Sequence, residues 1–101
     1  MNPLKNTNEI PHKGLVLIDF WAEWCLGCKT LEPQIKTLAS LFPSITFFKA
    51  DFEEVEPQLL TDFKIASLPT LIIVKDGVEL ERKVGSEQCK SLKQWFESFV
   101  E

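Results

Sequence analysis

The chain has 101 residues, of which 45% are hydrophobic and 26% charged, and this composition is typical of one globular domain. Its formal net charge of −4 is spread along the sequence, so no basic face is available for nucleic-acid phosphates. No segment approaches the roughly 20 consecutive apolar residues of a membrane-spanning helix. We therefore expect a single domain over residues 1–101 that neither binds nucleic acid nor inserts into a membrane.

The N-terminal segment MNPLKNTNEIPHKG has no apolar stretch of the kind found in a secretory signal peptide, which predicts a cytoplasmic location. The three cysteines are too few for a disulfide framework of the kind that holds small secreted proteins together. Cys89 lies far along the chain from Cys25 and Cys28, and we interpret it as a passive thiol at the start of a helix.

The first half of the chain predicts two strands separated by a helix. The run LVLIDF, residues 15–20, is almost continuously apolar, as in a central strand buried on both faces. A second strand, ITFFKA, is predicted at residues 45–50. Between them, from Cys25 to about Phe42, apolar residues recur with helical spacing. These residues are Leu31, Ile35, Leu38, Leu41 and Phe42.

The second half predicts a short helix, a hairpin and a C-terminal helix. The short helix has Pro57 in its first turn. The runs TLIIVK and VELERKV flank Asp76-Gly77, a pair that suits a two-residue hairpin turn. The last helix has Ser86 as its candidate N-cap. Its apolar face comprises Leu92, Trp95, Phe96, Phe99 and Val100.

This order, β-α-β-α-β-β-α, predicts an α/β domain with a central mixed sheet. The first two strands form a parallel βαβ unit, the hairpin adds antiparallel strands, and helices cover both faces. Cys25 then lies at the turn from the first strand into the first helix. The unpaired N–H groups and the positive dipole end of a helix N-terminus favour a thiolate over a thiol there.

Five landmarks in this order resemble the thioredoxin family, over nearly the whole chain from about Leu15 to the end. They are VLIDFWAEWCLGCKTLEP at 16–33, KAD at 49–51, SLPT at 67–70, KDG at 75–77 and KVG at 83–85. The resemblance implies a thioredoxin fold and a dithiol/disulfide oxidoreductase that acts on protein disulfides.

The chain departs from the family pattern in two places. Leu26-Gly27 stands between the cysteines where the family most often has Gly-Pro, and we expect the N–H of Gly27 to be free to point at the Cys25 sulfur. The segment before the first buried strand is short, so we expect the family's first strand and helix to be shortened.

Other uses of the cysteine pair remain to be weighed. A zinc site would need four ligands, and Cys89 and His12 are the only further candidates, although they are not paired in sequence. An iron–sulfur cluster could be bridged between two copies of the motif. A purely structural disulfide would gain little, because the loop it closes is very short. Redox exchange is favoured, with no cofactor and no metal.

The resemblance implies a role for each residue of the pair and its surroundings. Cys25 is expected to be the exposed attacking thiolate, and Cys28 the buried thiol that resolves the mixed disulfide. Asp19 falls on the family's buried carboxylate and would accept the proton of Cys28, although an aspartate at a strand end can also simply face water. Lys49 falls on the family's lysine that approaches this carboxylate.

The residues expected to contact substrate surround the motif. Pro69 resembles the family's cis-proline, which would leave the backbone of Leu68 free to pair with an extended substrate segment. The full predicted set is Trp24, Leu26, Gly27, Leu68, Pro69 and Gly85. Trp21 is expected to pack in the core.

The implied partners are disulfide-containing proteins and an electron donor, either a reductase of the thioredoxin-reductase type or a membrane thiol protein. The chain is expected to be a monomer. Two other functions stay open: a docking module with incidental cysteines, and a specialised electron carrier to one dedicated partner. The exposed Leu26 would favour the latter.

Overall fold

The structure is a computed structural model that describes residues 1–100. Its strands form one five-stranded sheet in the order β1-β3-β2-β4-β5. The strands are β1 (Asn2–Pro3), β2 (Leu15–Trp21), β3 (Ile45–Asp51), β4 (Thr70–Lys75) and β5 (Val78–Val84). The helices are α1 (Leu26–Leu41), α2 (Pro57–Asp62) and α3 (Leu92–Glu97), with 3-10 turns at Thr7–Glu9 and Ser86–Gln88.

The sheet is mixed, as predicted. β2 runs parallel to β3, with Asp19 opposite Lys49, and antiparallel to β4, with Asp19 opposite Leu71. β4 and β5 form the hairpin, whose turn residues Asp76 and Gly77 both have positive φ. The predicted α/β class with a parallel βαβ unit and an antiparallel hairpin is confirmed.

Alternating residues of β2 contribute to two separate cores. Leu17 packs with Ile35 and Phe96 on the face covered by α1 and α3. Ile18 packs with Leu59 on the face covered by α2. Because side chains alternate along a strand, this two-sided burial explains why the sequence of β2 is apolar at consecutive positions.

The N-terminal elements are shortened, as expected, but they are present. β1 has two residues, and it pairs in parallel with Phe48 and Lys49 of β3. Leu4 follows it, is 1% exposed, and donates its N–H to the carbonyl oxygen of Lys49 at 2.8 Å. A buried leucine and a few backbone bonds therefore anchor this edge of the sheet.

The prediction that Ser86 caps the C-terminal helix is wrong. Ser86 begins a separate 3-10 turn, in which the N–H of Cys89 donates a hydrogen bond to the carbonyl oxygen of Ser86. α3 begins only at Leu92, after Ser91 has taken a left-handed conformation with φ of 56°. Cys89 and Leu92 are buried in the same core, although they do not belong to one continuous helix. The apolar spacing therefore indicated burial and not the start of the helix.

Candidate active site

The cysteine pair lies where β2 passes into α1. Cys25 is the N-cap of α1 and Cys28 lies in its first turn; the two form a disulfide with a Cα–Cα distance of 5.3 Å. The N–H of Cys28 donates to the Sγ of Cys25 at 3.2 Å. The backbone donor to this sulfur is therefore Cys28, and not Gly27 as expected from the sequence.

Both cysteines are buried in this disulfide form. Cys25 is 8% exposed and Cys28 is 5% exposed, so the expected contrast between an exposed and a buried cysteine is absent. The pair packs with Ala22, and the partly buried Leu68 and Phe52 lie against it. The bond to Cys28 and this apolar cover together explain why Cys25 is not exposed here.

Asp19 is buried on β2 and is 4% exposed. Its Oδ1 atom has no hydrogen-bond partner among the described residues. Burial raises the pKa of Asp19 to about 7, while the positive charge of Lys49 lowers it and the negative charge of Glu32 raises it. The interpretation in which Asp19 simply faces water is therefore wrong.

Lys49 lies beside Asp19 in the register of the parallel strands, but its ammonium group is engaged elsewhere. Its Nζ lies 3.2 Å from Oε2 of Glu32 and 4.2 Å from the centre of the Trp21 ring. No ion pair between Lys49 and Asp19 occurs in residues 1–100. Glu32 was missed at the sequence level, although its position four residues after Cys28 places it one turn along the same helix face.

The predicted substrate residues lie around the disulfide. Trp24 is 63% exposed and stacks edge-on against Phe52, with 6.3 Å between ring centres, and Leu26 is 81% exposed. The Leu68–Pro69 peptide bond is cis, as the resemblance implied. The N–H of Gly85, which has a φ of 85°, donates to the carbonyl oxygen of Pro69 at 2.8 Å. This bond ties the end of β5 to the start of β4.

Gly27 is closely approached by the turn that follows β5. A Cβ atom added at Gly27 would lie 3.1 Å from Oγ and 3.2 Å from Cβ of Ser86, and 3.6 Å from Cδ of Pro69. The side chain of Ser86 therefore occupies the space beside residue 27, and a larger residue there would displace it. This contact is a second feature that the sequence did not indicate.

We expect the stability effect of Gly27→Ala to depend on Ser86. Alanine is favoured over glycine in a helix by up to about 1 kcal/mol, but here its Cβ would press on Ser86. Gly27→Ala should therefore be more stabilising in a Ser86→Gly background than in the native chain, with a coupling of about 0.5 kcal/mol or more. Urea unfolding of the four oxidised proteins measures this coupling. Equal effects in both backgrounds would contradict it.

Cys89 is the remaining cysteine and is buried at 4% exposure. Burial, and to a lesser degree the charge of Asp19, raise the pKa of its thiol to about 11, and Lys83 partly opposes them. Its Sγ donates to the carbonyl oxygen of Gly85. Cys89 lies at the end of a 3-10 turn and not at the start of a helix, but a protonated, covered thiol fits the predicted passive role.

Neither His12 nor Cys89 joins the pair in a potential metal site. Residues 1–100 contain no group of three or more histidine, cysteine or acidic side chains that could hold a metal ion. No helix in this range has both the length and the apolar character needed to cross a membrane.

Comparison with known proteins places the whole arrangement in one family. The thioredoxin family model matches residues 4–98. The thioredoxin of Chlamydia trachomatis is 47% identical over 79 residues, which span 78% of this chain and 76% of that protein. The thioredoxin of Chlamydia caviae is 40% identical over 88 residues, or 87% and 85% of the two chains.

Solved structures agree with the sequence matches. A Plasmodium falciparum thioredoxin superposes with a TM-score of 0.87 at 27% identity, covering 99% of this chain and 100% of that one. A Fasciola hepatica thioredoxin gives a TM-score of 0.81 at 28% identity, covering 96% and 98%. Since the family match extends over almost the whole length and includes the CxxC pair, this chain belongs to the thioredoxin family and is a thiol–disulfide oxidoreductase.

Proposed function

We propose that this protein reduces protein disulfides, with Cys25 as the nucleophile, Cys28 as the resolving thiol and Asp19 as the base. The Cys25 thiolate attacks one sulfur of a substrate disulfide and forms a mixed disulfide, while the other substrate sulfur leaves as a thiolate. Cys28 then gives its proton to Asp19 and attacks the Cys25 sulfur. The Cys25–Cys28 disulfide forms, the second substrate sulfur leaves, and the substrate has gained two electrons.

The position of Cys25 supports its role as the nucleophile. It is the N-cap of α1, where the N–H of Cys28 already points at its sulfur and the helix dipole favours negative charge. The exposed Trp24 and Leu26 flank it and offer apolar contact to an incoming chain. Cys28 lies further along the first turn, and the exposed residues that follow it, Lys29 and Thr30, are polar.

The observation that carries the proposal is the buried carboxyl group of Asp19. Its side chain extends from the same face of β2 as Leu17, which packs beneath α1, so Asp19 faces the helix that contains Cys28. With a pKa raised to about 7 by burial, a large fraction of Asp19 is ionised at neutral pH and can accept a proton. A docking module with incidental cysteines would have no use for such a group.

We expect Asp19→Asn to slow the second step of the reaction more than the first, because the base acts on Cys28 and not on Cys25. Single-turnover kinetics with a disulfide substrate separate formation of the mixed disulfide from its resolution. The matched control is Asp62→Asn, which removes an exposed carboxylate far along the chain from the cysteine pair. An unchanged second step in Asp19→Asn would remove this residue from the mechanism.

The substrate-binding surface is proposed to comprise Trp24, Leu26, Gly27, Leu68, Pro69 and Gly85. The backbone of Leu68, whose side chain packs against the Cys25–Cys28 pair, would pair with an extended segment of the substrate by strand addition. Gly85 leaves room for that segment, since nothing lies within 4 Å of the place where its Cβ would be. The exposed Leu26 favours a restricted set of partners.

Thioredoxin-family proteins act on disulfide substrates and are reduced by a thioredoxin reductase. For this chain we propose either such a reductase or a membrane thiol protein as the electron donor. The reaction as written needs no cofactor, because the two cysteine sulfurs carry both electrons. A monomer in the cytoplasm remains our proposal for its state and location.

A further inference from the structure

Glu32 and Lys49 form an ion pair near Asp19 that has no part in the reaction described above. Glu32 of α1 is bonded through Oε2 to Nζ of Lys49 at 3.2 Å and through Oε1 to Nζ of Lys36 at 3.5 Å. Lys49 also lies over the Trp21 ring, 4.2 Å from its centre. Its side chain is 23% exposed and that of Glu32 is 34% exposed, so the pair is partly screened from solvent. Glu32 therefore holds Lys49 at the edge of the site.

The buried carboxyl group of Asp19, next to this pair, forms no ion pair within residues 1–100. Asp19 is the register neighbour of Lys49, yet its Oδ1 is buried without a hydrogen-bond partner among these residues. An ammonium group on the adjacent strand would ordinarily be attracted to such an oxygen. The competing attraction of Glu32, together with the face of Trp21, accounts for the position that Lys49 takes instead.

We propose that Glu32 is a positioning residue for the reaction: it pairs with Lys49 so that this lysine does not neutralise Asp19, and it thereby keeps Asp19 basic enough to accept the proton of Cys28. This inference rests on the proposed role of Asp19. Glu32 touches neither the disulfide nor the reacting atoms, and acts through the lysine and through its own negative charge.

Two charged side chains of opposite sign, Lys49 and Glu32, act on the pKa of Asp19. β3 contributes Lys49, whose charge lowers the pKa of Asp19, and α1 contributes Glu32, whose charge raises it. β4 places the apolar Leu71 opposite Asp19. The turn before α3 contributes Cys89, whose thiol stays protonated because burial raises its pKa to about 11. In the oxidised protein, Cys28 is bonded to Cys25 and carries no thiol.

The test titrates Asp19 directly and also measures the step in which it acts. Carbon-13 NMR of the Asp19 carboxyl group in the oxidised protein gives its titration midpoint, and the pH profile of mixed-disulfide resolution gives the kinetic midpoint. Glu32→Gln should move both midpoints down by roughly half a pH unit to one unit, because a repelling charge is lost and Lys49 is released toward Asp19. Lys49→Gln should move both midpoints up.

Two further variants separate the effect of the Glu32–Lys49 ion pair from the effect of removing a negative charge alone. Glu23→Gln removes the same charge from a carboxylate that pairs with Lys29 at 2.7 Å and does not contact Lys49, so both midpoints should stay in place. In the Lys49→Gln background, Glu32→Gln should produce a smaller shift than in the native chain, because the part that acts through the lysine is gone.

The proposal is overturned if Glu32→Gln leaves the carboxyl midpoint unchanged, if Glu23→Gln shifts it equally, or if the carboxyl midpoint moves while the kinetic midpoint does not. A failure of the proposed role of Asp19 as the base gives a different result. In that case Asp19→Asn leaves the resolution step and its pH profile unaltered, whatever the carboxyl titration of the Glu32 variant shows.

Discussion

Replacement of Cys25 by serine is expected to abolish disulfide reduction, whereas replacement of Cys28 by serine should accumulate a mixed disulfide with the substrate. A serine hydroxyl at position 25 supplies no thiolate, so the first bond to the substrate cannot form. With serine at position 28, the attack of Cys25 still occurs, but no second thiol releases the adduct. Insulin reduction with dithiothreitol measures the loss, and intact mass under non-reducing conditions measures the adduct.

Cys89→Ser is the matched control for both variants. It removes a thiol whose pKa is raised to about 11 by burial, so turnover should be retained and no adduct should form. The adduct of Cys28→Ser should likewise persist when Cys89 is also replaced. Accumulation of an adduct on Cys25→Ser, with none on Cys28→Ser, would reverse the two roles and refute the argument from the helix N-terminus.

The sequence predicted those parts of the site that local chemistry determines. The helix predicted to begin at Cys25 starts within one residue of that position, at Leu26. Cys25 itself has extended backbone and is the N-cap of α1. The Asp76-Gly77 pair predicted the hairpin turn, since few residue pairs accept positive φ at both positions. The resemblance, and not the residues alone, indicated the burial of Asp19 and the cis bond before Pro69.

Contacts between distant segments were beyond the reach of the sequence. The approach of Ser86 to Gly27 depends on the bond between Gly85 and Pro69, which brings the end of β5 to the start of β4. The ion pair of Glu32 with Lys49 depends on the position at which α1 packs across β3. The family resemblance placed Lys49 near Asp19 but did not indicate Glu32, because the pattern within a single helix or strand contains no information on contacts between elements.

The second large effect concerns stability, and it tests the state of Asp19 without any catalysis. The pKa of Asp19 is about 7 in the folded protein and about 3.8 as its ordinary value. Between these two pH values the folded state holds a proton that the unfolded state has lost. The free energy of unfolding should therefore fall as pH rises through this window, and level off above it. The raised pKa corresponds to a total penalty on the order of 4 kcal/mol.

Asp19→Asn should remove this penalty, because asparagine has nearly the same shape and cannot ionise. Its advantage in free energy of unfolding over the native chain should be small or absent at pH 4 and should grow by up to about 4 kcal/mol by pH 8. Any fixed cost of burying the amide is the same at both pH values, so the change between them isolates the titration. Urea unfolding of the oxidised proteins, followed by tryptophan fluorescence, measures it.

Asp62→Asn provides a control of opposite sign. Asp62 is exposed, and hydrogen bonds from Thr7 and Gln58 lower the pKa of its carboxyl group, so its stabilising effect is present above its ordinary pKa and lost in acid. Its replacement should bring no gain in stability as pH rises. If Asp19→Asn behaves in the same way, with no gain between pH 4 and pH 8, then Asp19 does not hold a proton near neutrality. Its assignment as the base for Cys28 would then have to be withdrawn.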